Sequence, residues 1–410
     1  MTQNIRWMTA LGLSVCISMA AAVSLGMTRF AYALLLPPMR DDLLWSYTLA
    51  GAMNTFNAVG YLVGALLTPL VLRHWGAVRV LIWGALSATL FMALTGFLVD
   101  TSALLLQRFL AGVASAAVFV SGGLLAARLG AQIPSQSGLL LGVYYGGTGW
   151  GIVLSALTVP ATLSWAQAQA VHHPWSWAWW SLAGLCLVLT LLLVLIRLPL
   201  NRWAPEAPKP IQTTAATARS STSHLRQWFF ALLGYGCFGV GYIGYMTFVV
   251  ALLREQGATP SDITLFYALL GVAVVVSSRV WAGLLNHYRG GQALSILNGL
   301  LSVATVIPAL TSAWPLMIFS GLIFGVVFLS LVASTTAMVK HNLAPEQWAA
   351  GISVFTVIFA LGQIVGPVVV GWIADGDGGL QRGLLFSSLA LLLGAILAWQ
   401  QKPLTEKPMA

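Results

Sequence analysis

Twelve continuous apolar stretches of about twenty residues recur from one end of this 410-residue chain to the other, and they constrain its fold more than any motif does. They fall at about 9–36, 47–72, 77–98, 101–128, 137–162, 176–197, 228–252, 263–285, 292–311, 314–338, 347–374 and 380–399. Each is long enough to cross a hydrocarbon core of about 30 Å as a helix. Because the runs are continuous rather than alternating, a barrel is excluded. Charged residues make up 7% of the chain and hydrophobic residues 59%, against about 25% charged in soluble domains. The fold class is therefore an all-α membrane protein with twelve transmembrane helices.

The net charge of +9 is a matter of topology. With a cytoplasmic N-terminus, the inner loops hold Arg6, Arg73, Arg79, Arg128, Arg202, Lys209, Arg219, Arg226, Arg289, Lys340, Lys402 and Lys407, and the outer loops hold Arg40, Arg254 and Arg382. This asymmetry places both termini in the cytoplasm. The basic excess is not a nucleic-acid footprint, so the partners expected are the lipid bilayer and a small-molecule solute, with the chain acting as a monomer. Cys16, Cys186 and Cys237 lie within spans and imply neither a disulfide framework nor a metal site, and no cofactor is expected. Arg6 followed by an apolar run and Ala20, Ala21 and Ala22 mimics a secretory signal, but the run continues well past those alanines.

The Pro-, Ala-, Ser- and Thr-rich segment 200–227 cannot bury a core and divides the spans six and six, giving halves 1–199 and 228–410 around a cytoplasmic linker. The halves repeat. A shift of 213 residues places Gly26, Arg29 and Tyr32 on Gly239, Tyr242 and Tyr245, and a shift of 220 aligns "GVYYGGTGWG" with "GQIVGPVVVG", each reading G-x3-G-x4-G.

Two six-helix halves joined by a basic loop resemble the major facilitator superfamily over the whole chain. "GMTRFAYALLLPPM" looks like the first-helix signature of its YbfB/YjiJ-like branch, and "RFLAGVASA" resembles the superfamily's fourth-helix motif. "GLLNHYRGGQAL" resembles the loop motif between spans eight and nine, with His287 where an aspartate is usual. Its counterpart "LVLRHWGAVRVL" lacks the leading glycine and the acid. The resemblance implies that the first and fourth helices of each half line a central cavity.

Arg29 lies eight residues before Pro37 and Arg108 eight after Asp100, so both sit roughly 12 Å below the outer ends of their helices. Charges at that depth are most easily tolerated facing water. The candidate substrate-binding residues are Arg29, Tyr32, Asn54, Asn57, Arg108, Tyr242, Tyr245 and Gln363; Asn54, Asn57 and Tyr61 share one helical face. Gly142, Gly146, Gly147 and Gly151, with Gly362, Gly366, Pro367 and Gly371, are candidate hinge positions, static close packing being the alternative. Trp175, Trp177, Trp179 and Trp180 suggest an interfacial aromatic belt.

No ATP-binding loop and no hydrolytic or metal motif occurs in the sequence. The reading is a secondary transporter, not an enzyme. It moves a small organic solute by alternating access, and two arginines with no carboxylate inside the spans favour an anionic or acidic amphiphilic one. Proton coupling is expected from the resemblance, with Asp41, Asp42, Asp375 or the solute itself carrying the proton. The alternative is a membrane sensor that retains the transporter fold.

Overall fold

The computed structural model describes residues 2–204, 227–344 and 347–404, and every regular element among them is helical. Twelve helices are long and apolar enough to span a bilayer: α1 (Trp7–Asp42), α2 (Tyr47–Trp75), α3 (Ala77–Thr95), α4 (Thr101–Gln132), α5 (Pro134–Ala168), α6 (Pro174–Leu195), α7 (Phe229–Glu255), α8 (Pro260–His287), α9 (Gln292–Leu310), α10 (Trp314–Asn342), α11 (Ala350–Ala374) and α12 (Gly379–Trp399). All twelve expected spans are present. Of the linker expected at 200–227, residues 205–226 lie outside the described residues, while its first residues are helical, closing the short helix Arg197–Trp203.

A spanning segment must satisfy its backbone internally, so helix starts are marked by side-chain caps only where chain meets water. Ser46 accepts from Leu49 N at 3.1 Å to open α2, and Asp100 accepts from Ala103 N at 2.8 Å to open α4. Thr259 and Asp262 form a reciprocal capping box at the start of α8. These three caps lie at the end of the bundle opposite the termini, called here the far end.

The aromatic run at the start of α6 differs from the belt expected of it. Trp175 and Trp179, one turn apart, are buried inside the first half, and the Trp175 indole donates to Asp42 Oδ2 at 2.5 Å. Trp177, on the opposite face, is exposed. Helical period splits the cluster between core and surface.

Hydrogen bonds between the two sets of six helices run from mid-span to the far end. Tyr267 Oη donates to Phe30 O at 2.7 Å, Asn54 Nδ2 to Thr247 Oγ1 at 2.8 Å and Thr55 Oγ1 to Ile364 O at 2.7 Å. At the far end itself, Asp375 accepts from Tyr47 N at 2.6 Å, Thr48 N at 2.8 Å and Thr48 Oγ1 at 2.5 Å. The bundle is thus tied shut on that side.

Candidate functional site

The site begins with a local departure from α-helical geometry. Residues Ala22–Phe30 of α1 form a π-helical stretch, in which Ala31 N bonds to Gly26 O at 3.1 Å and Thr28 Oγ1 reaches Val23 O at 2.6 Å. Widened turns of this kind re-aim side chains and leave carbonyls open to other donors. Arg29 lies on this stretch, only 3% exposed. Its Nη2 donates to Gln363 Oε1 on α11, and its guanidinium lies 5.7 Å from the Tyr61 ring of α2. Its Nε is buried and has no hydrogen-bond partner. One cation therefore sits where α1, α2 and α11 meet, with its Nε unpartnered.

Gln363 is placed by the proline that follows it. Pro367 has no N–H to offer the carbonyl one turn before it, which is that of Gln363, so α11 is loosened at this level. The adjacent Ile364 carbonyl is the one that accepts from Thr55 across the halves.

Arg108 meets the same stretch of α1, yet its surroundings differ. Its Nη1 donates to Thr28 O at 3.0 Å, its Nη2 to Asn54 Oδ1 at 3.1 Å and its Nε to Met53 O at 3.4 Å, and the cation lies 4.9 Å from the Tyr32 ring. Every guanidinium nitrogen has an acceptor, so Arg108 ties α4 to the π-helical stretch and to α2. Asn57 extends the same network, donating to Arg108 O at 3.1 Å. Tyr32 bonds Ala50 O at 2.9 Å, inside its own half. Tyr245 turns away from Arg29, bonding Ser320 Oγ at 2.8 Å and stacking 4.0 Å from Phe324. Of the eight candidates, the structure joins Arg29 directly to Gln363. Asn54 stands beside them, bridging Arg108 to Thr247 of α7.

The glycine positions fall into two groups. Gly147, Gly151, Gly362 and Gly366 lie against α1 or α7 of their own half; a Cβ on Gly147 would stand 1.9 Å from Ser18 O. Gly142, Gly146 and Gly371 face the opposite half, as does the Pro367 carbonyl, which crosses Gly51; a Cβ on Gly371 would meet Tyr47 O at 2.3 Å. The packing also revises the repeat register. Gly26 crosses Gly151 and Gly239 crosses Gly362, which pairs Gly151 with Gly362, whereas the 220-residue shift pairs Gly142 with Gly362. Glycines are frequent enough here to match out of register.

Three features lay beyond the sequence reading: the π-helical stretch, Thr247 as an inter-half acceptor, and the Asp375 latch on α2. Burial pulls the Asp375 carboxyl up, but the Thr48 hydroxyl and amide, the Tyr47 amide and Ser46 outweigh it and hold the group below the usual carboxylate range. Among the described residues no group of His, Cys, Asp and Glu is arranged to hold a metal ion.

Twelve spanning helices in two sets of six, with a charged and hydrogen-bonded centre between the sets, define a multi-pass membrane transporter of the major facilitator class. A family model described as "Uncharacterised MFS-type transporter YbfB" matches residues 21–399, and the chain belongs to that family. It is similar to two Agrobacterium vitis proteins described as "Putative tartrate transporter". One is 25% identical over 397 residues, covering 88% of this chain and 83% of the relative, and the other is 24% identical, covering 88% and 86%. Among solved structures, a bacterial homolog of the human lysosomal transporter Spinster, in an inward-facing and unoccupied conformation, superposes with a TM-score of 0.71 at 14% identity, covering 96% of each chain. The nucleoside transporter NupG gives 0.71 at 14% identity, covering 96% of this chain and 99% of that one. By family, then, the chain is a membrane transporter rather than an enzyme.

Proposed function

We propose that this protein carries a small organic anion across the bacterial inner membrane by alternating access, with Arg29 as the group that meets the anion's carboxylate. The observation that carries this reading is the contrast between the two buried cations. Arg108 is fully engaged, whereas Arg29 has an unpartnered Nε and an Nη2 held by a neutral amide from the opposite half. A carboxylate binds a guanidinium edge through two charge-assisted bonds, each about twice as strong as a neutral one. It would displace Gln363 and so sever a bond between α1 and α11 at the moment of binding. The halves then rock about the contacts of Gly142, Gly146, Pro367 and Gly371. The relatives described as tartrate transporters support an organic anion as cargo.

Proton coupling in this reading needs a group outside the centre of the bundle, since a carboxylate held on Arg29 is ionised and carries no proton. The buried charged side chains among the described residues are Arg29 and Arg108, so the interior offers no acid of its own. At the far end, Asp41 pairs with Arg40 and Asp42 with His173 and Trp175; Asp375 alone of the three bridges the halves. The test is a thermal-shift screen of the purified protein against organic anions, cations and neutral sugars, followed by counterflow of the stabilising compound in proteoliposomes. Arg29→Lys keeps the charge without the fork and should weaken binding, and Arg29→Ala should abolish counterflow with the melting temperature held. Normal counterflow by Arg29→Ala, or stabilisation only by cations or sugars, would overturn the reading.

A further inference from the structure

Beside Arg29 lies a feature that anion binding alone leaves unused. Tyr235, Phe238 and Tyr242 of α7, Phe359 of α11 and Phe328 of α10 carry rings in one common orientation. Neighbouring pairs have centroids 4.7–6.1 Å apart and interplanar angles of 9–27°. Aromatic pairs in a packed core favour offset-stacked and edge-to-face arrangements alike; here five rings share one plane direction. Two connections place this slab beside the cation. Phe359 precedes Gln363, the Arg29 partner, by one helical turn, so both project from the same face of α11. Phe30, the residue after Arg29, meets Phe328 edge-on at 5.8 Å.

Charge sets the second constraint. Arg108 has no donor nitrogen without an acceptor, and Arg29 is the other buried charge among the described residues. The place where cargo would lie therefore offers one cation edge, not two. A second carboxylate would sit among rings and helix carbonyls without a counter-charge, which is costly in a site this buried. We infer that the cargo is a monocarboxylate bearing a flat, conjugated or aromatic ring: the carboxylate takes the Nε and Nη2 edge of Arg29, and the ring lies on the slab led by Tyr242 and Phe359. This rests on the anion-binding reading above and narrows it to a class.

The test uses the full-length protein in detergent, titrated calorimetrically with benzoate, cyclohexanecarboxylate, benzamide and tartrate as probes. Benzoate should bind about three- to tenfold more tightly than its saturated counterpart, the range expected of ring stacking. Benzamide and tartrate should bind at least about tenfold more weakly than benzoate. Phe359→Leu, and independently Tyr242→Leu, should narrow the preference for benzoate over cyclohexanecarboxylate to within about twofold, read as the ratio of the two affinities in each variant. Equal affinities for the two monocarboxylates in the wild-type protein, or tartrate binding more tightly than benzoate, would overturn the proposal and leave the anion reading standing. Binding of benzamide as tight as that of benzoate would overturn both.

Discussion

Arg29 and Arg108 show how little a residue's identity says about its role. Both are buried arginines that meet at one stretch of α1. The equal depth expected from sequence took Pro37 as the helix end, whereas α1 continues through Pro37 to Asp42 and is π-helical at Arg29. Their difference is not legible, since the acceptors that engage Arg108 are main-chain carbonyls and an Asn54 amide brought in by tertiary packing. Arg108→Lys cannot satisfy three acceptors lying in the plane of a fork. It should destabilise the fold by about 2–4 kcal/mol, seen as a lowered melting temperature with no ligand present. Gln363 gives the converse case. Gln363→Glu would place a permanent carboxylate on Arg29, so it should raise the melting temperature and weaken binding of any stabilising carboxylate at least about tenfold. A variant that kept wild-type affinity would show that cargo does not use that edge. The pairing of Arg29 with Gln363 was hidden by its sequence separation, although Pro367 one turn later marks α11 as loosened there.

Among the helices, the twelve spans were legible because hydropathy and length report directly on a bilayer. The π-helical stretch of α1 was not, because its sequence AVSLGMTRF carries no composition distinct from an ordinary helix. Packing directions separate glycines that a spacing pattern treats alike. Gly147→Leu pushes a side chain into the Ser18 carbonyl and should prevent folding, whereas Gly146 has its nearest neighbour, Val275 O, 3.6 Å from a built Cβ and on the other half. Gly146→Leu should therefore fold and bind cargo but transport slowly, measurable as counterflow lost faster than affinity. The far-end latch has a defined pH window. Asp375 is held below the usual carboxylate range when it caps α2, so the latch is at full strength above pH ~4 and is lost as pH falls below that through the lowered value. Between about pH 5 and 8 the gate should be indifferent to protons. Asp375→Asn removes the charge that faces the α2 N-terminus, a contact worth about 1 kcal/mol, and should raise the far-open population about fivefold above about pH 5, where the wild-type carboxyl is ionised. Cysteine accessibility at Thr48 would measure this, and a latch that opened near pH 6.5 would contradict it.

For the whole molecule, these contacts make one coupled device. Bonds between the halves converge on mid-span and the far end, and one of them, from Arg29 to Gln363, is the bond that a carboxylate would replace. The repeat in the sequence foretold two halves; it could not foretell that each half keeps its own tyrosine network, Tyr32 with Ala50 and Tyr245 with Ser320, and leaves the cation edge between them. Binding and opening are then linked in both directions, so cargo must shift the conformational balance by its differential affinity for the two states. The most direct measurement places spin labels at Leu44→Cys and Asp377→Cys, two exposed far-end positions on opposite halves, in a background lacking Cys16, Cys186 and Cys237. Pulsed dipolar spectroscopy then reports the distance between them with and without a saturating carboxylate. The account predicts that the distance distribution moves to longer values on adding the carboxylate, and that Arg29→Ala abolishes the change. An unchanged distribution in the parent protein, or an equal shift in the Arg29→Ala protein, would contradict it.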